Sequence, residues 1–142
     1  MRIERIVVGV DGSANSITAT TWAAGLAALT GAEVVAVHAV GLLEQLEGDR
    51  PEPSHPRLAD IRRRFEGSWC APLAEAGVRF RSELRDGNST SVLLAVSEEL
   101  SADLVVVGSR GLGGFPELLL GSTSTQVAQH ARCPVAIVPA GV

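Results

Sequence analysis

The chain of 142 residues contains no lysine; all twelve of its basic residues are arginine. Chemistry that needs a lysine is therefore excluded, including a Walker-type G-x-x-x-x-G-K-[ST] phosphate loop. Cysteine is scarce as well. Cys70 and Cys133 stand far apart, with no C-x-x-C and no histidine pair at zinc-ligand spacing. That spacing argues against a zinc module and for two buried or half-buried thiols in a reducing compartment. An excess of basic charge is missing too. The formal net charge is −4, which argues against the broad basic surface of a non-specific nucleic-acid binder. Long apolar runs are absent. Ile6–Val10 is too short for a signal peptide, and no stretch reaches the roughly 20 apolar residues of a membrane span. These absences lead to the expectation of a cytoplasmic protein without nucleic-acid or membrane partners.

What is present is an alternation of short apolar runs with helical patterns. An apolar content of 46% is enough for a sizeable core, and the length fits a single domain over residues 1–142. Strands are predicted at Ile6–Val10, Glu33–Val40, Val78–Leu84, Leu104–Val107 and Val135–Val138. The third alternates apolar with charged residues, as expected of an edge strand with one wet face. Helices are predicted over Ser16–Thr30, Arg57–Ala76 with a kink at Pro72, Ser91–Leu100 and Thr123–Ala131. Residues 41–56, with Gly48, Pro51, Pro53 and Pro56, read as a loop. The run Arg62-Arg63-Arg64 reads as a solvated helix face. The alternation implies an α/β fold with a mostly parallel sheet covered on both faces. Ligands of such sheets sit beyond the carboxyl ends of the strands, where the chain order switches.

One cluster of small residues stands at such a place. Gly108-Ser109-Arg110-Gly111 follows the fourth strand, and Gly121-Ser122-Thr123-Ser124 opens the last helix nine residues later. Glycines let a main chain approach an anion, and a helix start supplies N–H groups and the positive end of the dipole. Pro116 lies between the glycines and would stiffen the segment or begin a helical turn. The loop after the first strand holds Asp11-Gly12-Ser13. His38 reads as a packed residue near a strand end, since no acid or nucleophile partner is visible. Arg110 is left open between a phosphate contact and solvent.

These residues resemble the universal stress protein family. The resemblance is carried by V-G-V-D-G-S at Val8–Ser13, A-D-L-V-V-V-G-S-R-G at Ala102–Gly111, L-L-L-G-S-T-S at Leu118–Ser124 and H-A-R-C-P-V-A-I-V-P at His130–Pro139. The signature G-x2-G-x9-G-[ST] is complete at Gly108, Gly111, Gly121 and Ser122. The resemblance implies a Rossmann-like five-stranded sheet in the order 3-2-1-4-5, paired as a homodimer through the last strand, and binding of ATP with Mg²⁺ or Mn²⁺. By position, it implies that Asp11 lies near the ribose or the metal-bound phosphates. Asp11 equally suits an Asx turn at a helix entry. Ala39 would meet adenine, with Gly9, Val10 and Val107 as adjacent walls. Gly108, Gly111, Gly121, Ser122, Thr123 and Ser124 would cradle the phosphates. Asn88-Ser89 replace a more usual proline-containing turn and are expected to matter little to the site.

Two function classes follow. One is a nucleotide-binding regulatory module of the stress response, acting through its conformation or dimer surface on a partner that the sequence does not name. The alternative is a slow ATPase or phosphotransferase. Against the alternative stand the missing lysine and the lack of a recognisable catalytic base or second substrate pocket. A receiver-type signalling domain shares the α/β pattern but normally uses a lysine.

Overall fold

The computed structural model describes residues 1–41, 56–110 and 120–141. At its centre lie five parallel strands: β1 (Arg5–Gly9), β2 (Glu33–Val40), β3 (Phe80–Asp86), β4 (Leu104–Gly108) and β5 (Val135–Val138). Their order is β3-β2-β1-β4-β5, as the family resemblance implies. The inner strands are apolar throughout because both faces of the sheet are covered. Ile6, Val8, Val34, Ala36 and Val106 serve one core; Val7, Val35, Val37, Val105 and Val107 serve the other.

Helices α1 (Ala14–Thr30), α2 (Pro56–Glu66) and α3 (Ala71–Ala76) cover the first face, and α4 (Ser89–Glu99) and α5 (Ser122–His130) cover the second. α1 reaches the sheet through Ala19, Ala23, Ala24 and Ala27, all nearly inaccessible. Small side chains let its backbone lie close to the strands. Ser13 caps its start, accepting from the Ser16 N–H at 3.1 Å, and Gly31 ends it in the left-handed region at φ 76°. Among the described residues no helix is long and apolar enough to cross a membrane.

Some boundaries differ from the sequence expectation. The helix expected over 57–76 is interrupted before Pro72. Gly67 leaves helical geometry at φ −94°, ψ −101°, a 3-10 turn covers Ser68–Cys70, and α3 then begins. Pro72 sits in the first turn of α3, where its missing N–H would have had no helical acceptor. β3 runs two residues later than expected. Gly77 must first close α3 at φ 69°, and pairing with β2 carries on to Val40 opposite Asp86. The arginine run is a solvated face: Arg62 pairs with Glu66, and Arg63 and Arg64 with Asp60.

The two outer strands differ in chemistry. β3 carries Arg81, Glu83 and Arg85. Arg85 bonds Glu99 through both terminal nitrogens, at 3.1 and 2.7 Å, and Glu83 at 3.0 Å. Its hydrogen bond holds the Glu99 carboxyl below the usual range. Charges of this kind blunt an edge. β5, at the other side, is wholly apolar.

Candidate functional site

The strand order reverses between β1 and β4, so their carboxyl ends diverge and leave room above the sheet. Beyond β1 the chain is held by side chains. The Asp11 Oδ1 atom accepts from the Ser13 N–H at 2.9 Å, which is an Asx turn, and the Asp11 N–H donates to Ser16 Oγ at 3.0 Å. Gly12 has φ 82°, and a Cβ there would lie 2.5 Å from Cζ2 of Trp69. Only glycine meets both conditions. His38, 4% exposed, donates from Nδ1 to the Val10 carbonyl at 2.7 Å. Its ring centroid lies 5.8 Å from that of Phe65 and 5.1 Å from that of Trp69. His38 is thus a packed residue bracing the Val10–Asp11 turn.

Beyond β4 the geometry centres on Asn15, in the first turn of α1. Its Oδ1 accepts from the Arg110 N–H at 2.7 Å and from Ser109 Oγ at 3.2 Å, and its Nδ2 donates to the Val138 carbonyl at 3.1 Å. A Cβ on Gly108 would stand 3.0 Å from Cγ of Asn15 and 3.1 Å from its backbone oxygen. In this structure the close approach that Gly108 permits is to Asn15.

α5 begins beside the same strand end. Gly121 is its N-cap, with φ −77° and ψ 172°, and provides no side-chain hydrogen bond to the first turn. α1 and α4, by contrast, are capped by Ser13 and by Asn88, whose Oδ1 accepts from the Ser91 N–H at 2.9 Å. A helix start without a side-chain cap exposes N–H groups and the positive end of the dipole. The N-termini of α4 and α5 flank a cleft of about 540 Å³, lined by Ala39, Gly41, Gly87, Asn88, Ser89, Thr90, Ser91, Ser122, Thr123 and Gln126.

Of the residues singled out in the sequence, Ala39, Ser122 and Thr123 line this cleft, and Gly121 adjoins it as the N-cap. Gly9 lies in β1 with its α-carbon turned to the same layer; a Cβ there would be 3.0 Å from Leu93 and 3.5 Å from Val107. Val107 is 3% exposed in that core. Val10 belongs to the opposite core, and its N–H is bonded to Val37 O at 2.8 Å. It is not among the residues that line this cleft. Asp11 and Gly108 stand at their strand ends against the first turn of α1, outside the lining. Ser124, 2% exposed, turns its hydroxyl inward to Ser109 O at 3.2 Å and Gly121 O at 3.0 Å, so it shapes the helix start from within. Gly111, Pro116 and the loop expected over 41–56 lie largely or wholly outside the described residues.

Other residues were missed by sequence reasoning. Asn88 and Ser89, expected to matter little to the site, line this cleft; the start of α4 shares a wall with the start of α5. The hydroxyl run Ser89-Thr90-Ser91 after Gly87 was the available signal. Trp69 and Asn15 had none, since their contacts come from distant parts of the chain. Both cysteines are free thiols. Burial, with the Glu66 carboxylate second, pushes Cys70 up to about 11, and burial followed by Asp103 raises Cys133. Such thiols suit packing and not thiolate chemistry.

The sequence pattern of the universal stress protein family matches residues 2–139. The universal stress protein YxiE of Bacillus subtilis (strain 168) is 33% identical over 145 residues, covering 94% of this chain and 97% of that protein. A universal stress protein of Mycobacterium tuberculosis is 29% identical over 96% of this chain but 48% of its own length, so the chain spans about half of that relative. Among solved structures, a universal stress protein in complex with cAMP superposes with a TM-score of 0.76 at 27% identity, covering 98% of each chain. With the sheet order, the glycine signature and these matches together, the chain belongs to the universal stress protein family.

Proposed function

We propose that this chain is a nucleotide-binding regulatory module whose ligand lies in the cleft between the starts of α4 and α5. One observation carries the reading: α5 opens into that cleft from a glycine cap, which gives the N–H groups of its first turn no side-chain acceptor of its own. A phosphate supplies the missing negative charge there. The relative solved with cAMP supports a purine nucleotide as the class of ligand. Under this reading Ala39 lies against the base, and Gly121, Ser122 and Thr123 hold phosphate oxygens. Gly108 and Gly111 belong to the same proposed phosphate cradle through the family signature.

ATP is the proposed nucleotide, with Mg²⁺ or Mn²⁺. Among the described residues no group of three or more His, Cys, Asp or Glu side chains could hold a metal ion. The proposed ion would be carried mainly by the phosphates, and Asp11, at the end of β1 and outside the cleft lining, is the one protein carboxylate proposed to face it. When bound, such an ion neutralises phosphate charge. Nucleotide occupancy would act on a partner only through different affinity for two conformations of the module. Assembly through the apolar edge of β5 into a homodimer belongs to the same proposal.

The direct test is to extract the purified protein and identify any nucleotide released, then follow phosphate release from added ATP for hours. Bound adenine nucleotide with negligible turnover is the expected result. Phosphate release at about 1 per second or faster, abolished by a cleft variant, would replace this reading with an enzyme.

A further inference from the structure

We infer that Asn15 is a positioning residue that ties the end of β5 to Ser109 and Arg110 and, through Ser109, to the Gly121 start of α5, so that order at the end of β5 and at that helix start rises and falls together. The inference rests on the nucleotide reading for its consequence, though not for its geometry. Oδ1 of Asn15 takes both of its acceptor bonds from the chain just beyond β4, the Arg110 N–H and Ser109 Oγ. Nδ2 holds the carbonyl of Val138, the last residue of β5. Ser109 completes the junction from the other side. Its N–H donates to the same Val138 carbonyl at 2.9 Å, and its own carbonyl receives the Gly121 N–H at 2.6 Å and Ser124 Oγ at 3.2 Å. One amide side chain and one serine therefore join the first turn of α1, the end of β4, the end of β5 and the start of α5.

Two further facts make this arrangement specific. Turning the Asn15 amide over would set its NH₂ against the Arg110 N–H and its oxygen against the Val138 carbonyl, so the network admits one orientation. A Cβ on Gly108 would press on Asn15 at 3.0–3.1 Å, so glycine lets the β4 backbone lie close to this side chain. The contacts lie away from the cleft lining, so Asn15 acts through Ser109 and Gly121 and not on a ligand directly. For a nucleotide at Gly121 and Ser122, the consequence is that ordering the helix start also stiffens the end of β5, the strand proposed to pair in the dimer.

Hydrogen exchange read by residue on the full chain, first without nucleotide, tests the geometry. Asn15→Ala should raise exchange at Arg110, Ser109 and Gly121 by roughly five- to tenfold, while Gly31 and Gly67 stay within about twofold. Asn15→Asp retains the acceptor atoms but sets a carboxylate oxygen against the Val138 carbonyl. It should preserve protection at Arg110 and lose it at Ser109. A uniform rise across Gly31, Gly67 and the junction, in both variants, would reduce Asn15 to a general stabiliser and overturn the inference. So would unchanged exchange at Arg110 and Ser109 in Asn15→Ala. If Asn15→Ala does not fold, Ser109→Ala, which removes only the hydroxyl donor, should raise exchange at Arg110 with Gly31 unaffected; no change there refutes the junction.

Added ATP supplies the second arm. In the wild type it should slow exchange at Gly121 and at Ser109, whose N–H rests on β5, and in Asn15→Ala at Gly121 alone. Equal slowing at both sites in Asn15→Ala overturns the coupling. No slowing anywhere in the wild type overturns the nucleotide reading and leaves the ligand-free result to decide the junction.

Discussion

Two glycines in this chain should respond to the same substitution with opposite signs. Gly12 has φ 82°, and a Cβ on it would meet the Trp69 indole at 2.5 and 2.6 Å. Gly25 lies in the interior of α1, is exposed, and has nothing within 4 Å of its Cβ position. For Gly12→Ala, the left-handed backbone costs about 1–2 kcal/mol. Displacing an indole packed against His38 and Phe65 adds about 1–3 kcal/mol as overpacking. The sum is about 2–5 kcal/mol, a large share of the roughly 5–15 kcal/mol that holds an ordinary domain together. Gly25→Ala removes backbone entropy from the unfolded chain at no steric cost and should stabilise by about 0.8–1 kcal/mol. Thermal unfolding followed by circular dichroism reads both. At about 4 °C per kcal/mol for a chain of this size, Tm should fall by about 8–20 °C in the first variant and rise by about 4 °C in the second. A Gly12→Ala protein melting within about 2 °C of the wild type would refute the packing of Trp69 on the loop that carries Asp11.

The Cys70 thiol, nearly inaccessible and with its pKa pushed up to about 11 from 9.0, is neutral in the folded state where the unfolded chain ionises. Its contribution to stability is fully present below about pH 9 and is lost as pH rises towards 11, amounting to about 2–3 kcal/mol. Urea unfolding of wild type and Cys70→Ala at pH 8 and pH 10.5 should show a smaller alkaline loss in the variant; equal losses would contradict the thiol's burial. At the β5 edge, Pro134 O and Val138 O accept from the Val105 and Ser109 N–H groups, so strand alternation turns the Ile137 N–H outward. Ile137→Pro should therefore convert a dimer to a folded monomer in light scattering. A wild type already monomeric at high concentration would remove the edge-pairing proposal.

Much of the fold was legible because buried parallel strands are written as continuous apolar runs. The bounds of β2 and β5 coincide with those runs, and the charged alternation of β3 marks it as an outer strand. The break at Gly67 was not, because a helical pattern on both sides hides a change of axis, and proline drew the attention that belonged to glycine. The small residues that flank the cleft were visible as a motif, but their division of labour was not. Asn15 lies 94, 95 and 123 residues from its partners, so no local pattern contains it. For the same reason the closeness of Gly108 to Asn15 was not legible. Asn88 and Ser89 were set aside because they stand apart from the glycine signature, yet the sheet places the two helix starts side by side.

The central claim, that the uncapped start of α5 receives the phosphate of a nucleotide, is tested most directly with Thr123→Glu under calorimetric titration. A carboxylate in the first turn complements the helix dipole and should hold or raise Tm, worth about 0.3–1 kcal/mol, while repelling phosphate from the cleft. The account predicts saturable binding of ATP to the wild type and at least about tenfold weaker binding, or about 1.4 kcal/mol, in the folded variant. Absence of binding by the wild type to ATP, AMP and cAMP alike, or a Kd for Thr123→Glu within about twofold of the wild-type value, would contradict it.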